Sequence, residues 1–145
     1  MKLIKEANIK ILSHIENLDD SGLAVGEAEK NENISKGYYH YDEGKVLITY
    51  TEPSEGGDIF SEVQLLGSTV RVKRSGAISS SFVFREGERT ESLYQIPPYS
   101  FDTEITAKKI RVSLDGEGGT LELHYLMKIG GQKKNARMKI WIQTS

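Results

Sequence analysis

Three side chains of this sequence could meet the polar end of a ligand: the carboxylate of Glu52, the guanidinium of Arg74 and the phenol of Tyr94. A guanidinium donates two parallel hydrogen bonds to a carboxylate or phosphate, and a phenol can orient the bound group. The residue types therefore predict a ligand clamp if the fold brings them together. Tyr125 is a fourth candidate contact, although its apolar neighbours first predict a core tyrosine with a satisfied hydroxyl.

The same residues also allow two other hypotheses. An ion pair between Glu52 and Arg74 would plug one end of the fold without any ligand, because a buried charge is tolerated only when it is paired. This plug is the preferred interpretation of the pair, since such ion pairs commonly serve structure alone. An enzyme with Glu52 as general base and Arg74 as anion stabiliser is the least supported hypothesis.

The elements that must position these side chains follow a two-residue alternation of apolar and polar residues, broken by glycine-rich segments. The cleanest stretch, residues 121–129, has Leu121, Leu123 and Tyr125 at odd positions, with Glu122 and His124 between them. Strand side chains point alternately to opposite faces, so one face meets a core and the other mostly meets water. The chain is therefore expected to be an antiparallel all-β protein.

About ten strands are predicted, joined mostly by short turns and without any long helical pattern. They cover residues 4–15, 34–41, 45–52, 59–66, 69–74, 82–85, 89–96, 101–114, 120–129 and 136–144. This arrangement favours an up-and-down meander that closes into a barrel, because closure removes exposed edges. A two-sheet sandwich is the alternative.

The positions of apolar residues within each predicted strand give further detail. Within residues 101–114 the apolar residues change from odd to even positions, which predicts a β-bulge near residues 107–109. In an alternating meander the ends of strands three, five and seven meet at one rim, where Glu52, Arg74 and Tyr94 point inward. Residues 27–33 are too polar to pack, so a weak strand or hairpin arm is expected to start there and to become regular at residues 34–41. The basic run 132–137 is expected to lie in a solvated hairpin loop.

Composition narrows the class of protein. With 145 residues the chain fits one domain, residues 1–145, and its net charge of -2 gives no field that would steer it to nucleic acid. It has no cysteine, which excludes disulfides and thiolate sites and is the usage expected in a reducing compartment. Charges interrupt the N-terminal apolar residues too early for a signal peptide, and no run approaches membrane-spanning length. We expect a cytoplasmic protein that acts neither on nucleic acid nor at a membrane.

No motif names a cofactor or a reaction. His14, His40 and His124 lack ligand spacing, so no metal site is predicted. The acidic run 115–119 lacks the oxygen ligands of a calcium loop and is expected to be a hairpin turn. The 14 glycines form neither a Walker nor a Rossmann fingerprint, and no serine has a paired histidine and acid nearby.

Several short strings, taken in order, carry a family resemblance across nearly the whole chain. They are residues 37–39, 47–52, 72–76, Tyr94 with Tyr99, and the pair 123–129 and 138–142. Together they resemble the YwiB-like family of small uncharacterised bacterial proteins. The resemblance implies a calycin-like barrel related in shape to lipocalins, and it carries over no catalytic residue. One departure is Ser100, where the family usually has glycine after the aromatic residue.

The leading hypothesis is a non-enzymatic, cytoplasmic barrel that binds a small, mostly apolar molecule with one anionic or polar end. It rests on the architecture and on the inferred rim cluster. The alternative is a structural or interaction protein whose barrel is filled by its own side chains. Such a protein would act through its outer surface or as a homodimer, and Trp141, whose parity points outward, could mark the dimer patch.

Overall fold

All regular elements within residues 3–144 are β-strands, as the alternation predicts. The computed structural model describes residues 3–144. Its ten strands are β1 (Leu3–Leu18), β2 (Ala24–Asp42), β3 (Lys45–Glu52), β4 (Ile59–Leu66), β5 (Thr69–Gly76), β6 (Ser80–Phe84), β7 (Arg89–Ile96), β8 (Tyr99–Asp115), β9 (Gly118–Ile129) and β10 (Gln132–Thr144). No helix in this range is long and apolar enough to cross a membrane.

The ten strands form one antiparallel sheet that curls into a nearly closed barrel. Its order is β6-β5-β4-β3-β2-β1-β10-β9-β8-β7, so nearly every neighbour in the sheet is also a neighbour along the chain. The exception joins β1 to β10 in one unbroken register, from Ala7 opposite Thr144 to Leu18 opposite Lys133. The predicted up-and-down barrel is confirmed, and the two-sheet sandwich is wrong.

The barrel closes at a seam between β6 and β7 that is not a continuous ladder. Ser79 and Gln95 exchange two backbone hydrogen bonds there, of 2.9 and 2.8 Å. The Thr90 hydroxyl adds a third by donating to the Val83 carbonyl oxygen at 2.6 Å. The seam is thus held by a few separate contacts, whereas every other pair of neighbouring strands in the barrel is joined by a ladder.

A β-bulge interrupts β8 where the parity change predicts it. The register of β8 with β9 shifts between Ala107 and Lys109. Glu86, in the turn between β6 and β7, accepts a hydrogen bond from the Ile110 amide at 2.9 Å. The Gly87 amide donates to the Ala107 carbonyl oxygen at 2.8 Å. The seam turn therefore packs against the bulge and fixes its backbone.

Two strands are longer in the structure than the sequence predicts. The basic run 132–137 is the first half of β10, not a loop, and the turn before it contains only Gly130 and Gly131, both with positive φ. β2 starts at Ala24, so the weak hairpin arm expected at residues 27–33 is part of a full strand that pairs with β1. In both cases the ladder bonds the backbone while the polar side chains remain accessible, so polarity does not prevent strand formation.

One end of the barrel interior is packed solid. It lies where β1, β3, β5 and β9 begin, and its fully buried members include Ile9, Ile48, Val70, Leu121 and Ile140. Tyr39 is buried beside them and donates a hydrogen bond of 2.7 Å from its hydroxyl to the Asp115 carbonyl oxygen. The hydroxyl of Tyr39 thus has the hydrogen-bond partner that a buried phenol requires. The packed end positions the opposite half of the barrel, where the candidate site lies.

Candidate functional site

A cavity of about 750 Å³ occupies the half of the barrel away from the packed core. Its wall is built from inward-facing residues of most strands. The apolar contributors include Ile11, Val72, Phe82, Phe84, Phe101 and Met127. The cavity therefore has the mainly apolar wall that is typical of small-molecule sites.

All four residues predicted from the sequence line this one cavity. Glu52 ends β3, Arg74 lies near the end of β5, Tyr94 near the end of β7, and Tyr125 in the middle of β9. The predicted convergence at one rim is thus what the structure shows. Tyr125 is also a core residue, with 6% of its surface exposed. Binding by these four residues remains a prediction.

The predicted ion pair between Glu52 and Arg74 is not formed. Both residues lie in the described part of the chain, and no nitrogen of one approaches an oxygen of the other to within 4.0 Å. The Nε atom of Arg74 is buried and has no hydrogen-bond partner in the structure. The plug hypothesis in its predicted form is therefore wrong, because the charge of Arg74 is not neutralised by this carboxylate.

The positive charge of Arg74 acts on three tyrosines of the barrel interior. Burial raises the pKa of Tyr50, Tyr94 and Tyr125, and in each case the positive charge of Arg74 opposes the increase. The carboxylate of Glu52 adds to the raised pKa of Tyr50. These tyrosines belong to β3, β7 and β9, so the guanidinium is within electrostatic reach of phenols on both sides of the interior.

A polar row crosses the otherwise apolar inner face at the level of Arg74. The ladder places Tyr50 opposite Ser61, Ser61 opposite Arg74, and Arg74 opposite Ser80. Ser61 and Ser80 are 1% and 5% exposed, and side-chain hydrogen bonds of Tyr50 with Ser61 and Arg74 oppose the burial that raises the pKa of this phenol. The buried atoms Arg74 Nε and Ser80 Oγ have no hydrogen-bond partner among the groups of residues 3–144. We call Ser61, Arg74 and Ser80 the polar row.

Sequence reasoning missed the two serines of the polar row. A signal for Ser61 does exist, because it shares parity with Ile59, Val63 and Leu65 and is the one polar residue on that face of its strand. Its significance depends on which residues of the adjacent strands lie beside it. Parity within one strand does not provide that register.

Aromatic contacts hold the phenols of the site in place. The rings of Phe84 and Tyr125 meet edge to face with centroids 4.9 Å apart. The rings of Phe82 and Tyr94 stack at 6.0 Å with an interplanar angle of 15°. Such pairs favour one relative orientation of the rings. The two tyrosines are therefore oriented by packing before any ligand is present.

The cavity wall also carries polar residues from the long β1–β2 hairpin. Glu29, Asn31, Glu32 and Asn33 of β2 line it together with Lys134 of β10. Counted with Glu52 and Arg74, the charged residues on the wall are three carboxylates and two cations. The segment predicted to be too polar to pack thus contributes to the cavity.

Buried phenols lead to a prediction for alkaline pH. Burial raises the pKa of Tyr39, Tyr50 and Tyr125 in the folded state, whereas unfolded tyrosines titrate near pH 10. The folded state keeps protons that the unfolded state loses, so the stabilisation is fully present below pH 10 and is lost as pH rises above it. Above pH 10, each tyrosine that stays protonated in the folded state is expected to lower the free energy of unfolding by about 1.4 kcal/mol per pH unit.

Urea unfolding between pH 8 and 11.5, with tyrosinate absorbance at 295 nm, measures this effect. The unfolding midpoint should be flat to about pH 10 and then fall steeply. Tyr125→Phe should reduce the slope by removing one retained proton. Full ionisation of the folded protein near pH 10 without loss of stability would contradict the prediction.

The histidines and the outer tryptophan lie away from the cavity. His124 Nε2 is 2.9 Å from Asn135 Oδ1, and His14 Nδ1 is 3.9 Å from Glu16. No group of three or more histidine, aspartate or glutamate side chains within residues 3–144 is placed to hold a metal ion. Trp141 faces outward as predicted, and Lys10 and Lys139 lie 5.2 and 4.8 Å from its ring centre. Its ring is thus covered by cations and is not a bare apolar patch.

Comparison with known proteins supports the family resemblance. The family model described as a domain of unknown function, DUF1934, matches residues 14–142. The uncharacterized β-barrel protein YwiB of Bacillus subtilis (strain 168) is 27% identical over 110 residues, which are 76% of this chain and 78% of that protein. The crystal structure of ywiB protein from Bacillus subtilis is similar with a TM-score of 0.84 and 26% identity, covering 98% of this chain and 93% of that chain. The predicted resemblance and the barrel fold are confirmed.

Proposed function

The chain belongs to the DUF1934 family of domains of unknown function, and from this premise we propose that it is a non-enzymatic barrel that binds a small, mostly apolar molecule with one anionic or polar end. The observation that carries the proposal is a largely apolar cavity of about 750 Å³ whose wall holds Arg74 unpaired with Glu52. Small-molecule sites are typically cavities of roughly 300–1,000 Å³ with a few placed polar groups. Because a fold hosts many functions, the argument rests on the site.

The competing hypothesis is an interaction protein with a filled barrel. It needs an interior occupied by its own side chains, and the cavity beyond the packed end weighs against that requirement. A homodimer through Trp141 would use a ring already covered by Lys10 and Lys139. We assign Glu52 a role in lining the cavity and none in catalysis.

The proposal includes a calycin-like architecture, related in shape to lipocalins, and a cytoplasmic location. The up-and-down strand order and the internal cavity support the first part. The absence of cysteine from the sequence supports the second, because that usage fits a reducing compartment.

Native mass spectrometry of the protein purified gently from its own host tests the proposal. We expect a reproducible extra mass on the folded protein that is lost on denaturation. Met127→Trp, which fills part of the cavity wall, should remove the extra mass. Lys128→Trp, which adds the same ring to the exposed neighbour on β9, should keep it.

Two outcomes would contradict the proposal. A clean monomer without extra mass argues against a carried ligand, and a clean dimer without extra mass supports the interaction protein. An extra mass that persists equally in a folded Met127→Trp variant would place the ligand outside the cavity. Circular dichroism of each variant confirms that it is folded before the masses are compared.

A further inference from the structure

We infer that a groove on the outer face of the barrel binds a small molecule that carries two or more linked phosphoryl groups. The groove has a volume of about 440 Å³ and crosses β8, β9, β10 and β1. Its basic side chains are His14, Lys109, Arg111, His124, Arg137 and Lys139. We call this site the basic groove. The inference goes beyond the proposed function, because it concerns the other face of the sheet and needs no ligand in the cavity.

Strand alternation places the basic groove outside the barrel. On β9, the half-buried His124 lies between Leu123 and Tyr125, whose side chains are buried in the interior. On β10, the exposed Arg137 follows Ala136, which is also buried. Successive side chains of a strand point to opposite faces. The histidine and the arginine therefore face outward, where a ligand in solution can reach them.

The β-bulge in β8 supplies two of the cations. Ala107 points inward and is 1% exposed, and uninterrupted alternation would turn Lys109 and Arg111 inward as well. The register shift between Ala107 and Lys109 instead places both cations on the outer face, where they are exposed. Bulges commonly re-aim side chains next to functional sites. This bulge builds one wall of the basic groove.

The strand register sets basic side chains directly opposite one another. Arg137 lies opposite His14 on one side and opposite His124 on the other. His124 in turn lies opposite Lys109. Like charges directly opposite one another destabilise a sheet, whereas opposite charges stabilise it. This row therefore weakens the sheet whenever its members are charged, and a bound anion removes the repulsion.

Carboxylates of the protein do not neutralise the basic groove. Among the described residues that line it, Glu122 is the one carboxylate, and its Oε1 atom is 3.2 Å from Lys139 Nζ. Within residues 3–144, no carboxylate oxygen lies within 4.0 Å of a side-chain nitrogen of Lys109, Arg111 or Arg137. The whole chain has 19 lysines and arginines against 21 acidic residues, so this excess of cations is local.

The placement of the cations selects two linked phosphoryl groups. Each wall of the basic groove has one lysine and one arginine two residues apart: Lys109 and Arg111 on β8, Arg137 and Lys139 on β10. Strand geometry separates the two positions of a wall by about 7 Å and the two walls by about 10 Å. Arginine donates paired hydrogen bonds to a phosphate, and lysine binds it as a point charge. A phosphate monoester carries about -1.5 to -2 charges at neutral pH, and a linked phosphoryl group adds about one more, which matches four cations and one carboxylate.

The residues of the basic groove favour a small molecule over a nucleic-acid strand. Proteins that bind single strands add aromatic side chains on which the bases stack. None of the described residues that line the basic groove is phenylalanine, tyrosine or tryptophan. Trp141, on the same outer face, already has Lys10 and Lys139 against its ring. The volume of about 440 Å³ is also within the range of small-molecule sites, roughly 300–1,000 Å³.

Isothermal calorimetry of the full-length protein at neutral pH and low salt, without divalent cations, tests the inference. The probes are inorganic phosphate, inorganic pyrophosphate and adenosine diphosphate. Pyrophosphate is expected to bind roughly tenfold more tightly than phosphate, because it contacts both walls. Equal affinity for pyrophosphate and adenosine diphosphate supports a site for the phosphoryl groups alone. Tighter binding of adenosine diphosphate supports a site that also holds the rest of a nucleotide.

Lys109→Gln/Arg111→Gln removes the cations of one wall and should weaken pyrophosphate binding roughly tenfold. Arg71→Gln/Lys73→Gln is the matched control. It removes one arginine and one lysine with the same spacing from the exposed outer face of β5, away from the basic groove. Its affinity for pyrophosphate should equal that of the unmodified protein. Equal losses in the two variants would show attraction by the general charge of the protein and would overturn the site.

Glu122→Gln is expected to strengthen pyrophosphate binding severalfold, because it removes the carboxylate of the basic groove and releases Lys139. A misfolded variant could not produce a gain in affinity. This measurement therefore decides the question even if the double variant on β8 does not fold. An unchanged or weaker affinity would contradict the inference.

Two further results would overturn the inference. Pyrophosphate that binds no more tightly than phosphate would exclude a site for linked phosphoryl groups. A thymidine oligonucleotide that binds more tightly than adenosine diphosphate and displaces it would assign the basic groove to a nucleic-acid strand. Met127→Trp, which fills part of the interior cavity, should leave pyrophosphate binding unchanged. Failure of this inference and failure of the proposed function are therefore seen in separate measurements.

Discussion

Replacing Gly119 with alanine is expected to destabilise the barrel by about 4 kcal/mol, from roughly 2 kcal/mol of backbone strain and roughly 2 kcal/mol of overpacking. Gly119 has φ of +134°, a conformation that L side chains rarely adopt. An added Cβ would overlap the carbonyl oxygen of Ser113 on β8. Gly119 also pairs with Ile142 of β10, so β9 cannot move away from one neighbour without disturbing the other.

Equilibrium unfolding in urea measures this loss as a lower midpoint at an unchanged slope. Gly56→Ala is the control, because a Cβ at Gly56 meets only the Ala77 Cβ at 3.6 Å, an ordinary contact. It should change stability by less than about 0.5 kcal/mol. Equal stability of the two variants would show that β8 and β9 are less closely paired than the structure indicates.

Replacing Phe84 with alanine is expected to cost about 3–5 kcal/mol of unfolding free energy. Phe84 is 1% exposed and lies where the packed core meets the cavity. Its removal deletes a large apolar side chain and leaves a void that opens into the existing cavity. It also removes the edge-to-face partner of Tyr125. Both the stability and the orientation of this phenol should therefore change.

Urea unfolding gives the free energy, and near-ultraviolet circular dichroism reports the loss of fixed tyrosine packing. Phe60→Ala is the matched control, because Phe60 is 52% exposed on the outer face of β4. That variant should lose less than about 1 kcal/mol and keep its near-ultraviolet spectrum. A Phe84→Ala protein as stable as Phe60→Ala would mean that the boundary between core and cavity is already loosely packed.

Much of the fold follows from the sequence because alternation determines which side of a strand is buried. β3, β4 and β7 have the predicted bounds, and the parity switch in β8 marks a real bulge. The boundaries of β2 and β10 could not be predicted in the same way. Their polar halves are stabilised by ladder bonds to β1 and β9, which local composition does not reveal.

The candidate site, like the fold, could be predicted only in part. Parity places Glu52, Arg74 and Tyr94 on the inner wall, and strand order brings them to one rim. Whether Glu52 reaches Arg74 depends on ångström-scale side-chain direction, which parity does not contain, and the predicted ion pair is absent. The cavity volume depends on strand tilt and stagger around the whole barrel. The polar row depends on the register of three strands, so single-strand patterns could not identify it.

The seam between β6 and β7 has a consequence for how the chain reaches this fold. Read from the seam, the sheet order is β7-β8-β9-β10-β1-β2-β3-β4-β5-β6, a cyclic permutation of the chain order. The β1–β10 ladder is thus the one pairing between strands far apart in sequence over residues 3–144. Closing so long a loop is an entropic barrier of the kind that slows folding. A chain opened at the seam and joined across β1 and β10 would keep every ladder yet contain only local pairings, so the speed of folding and the stability of the barrel are separable properties of this molecule.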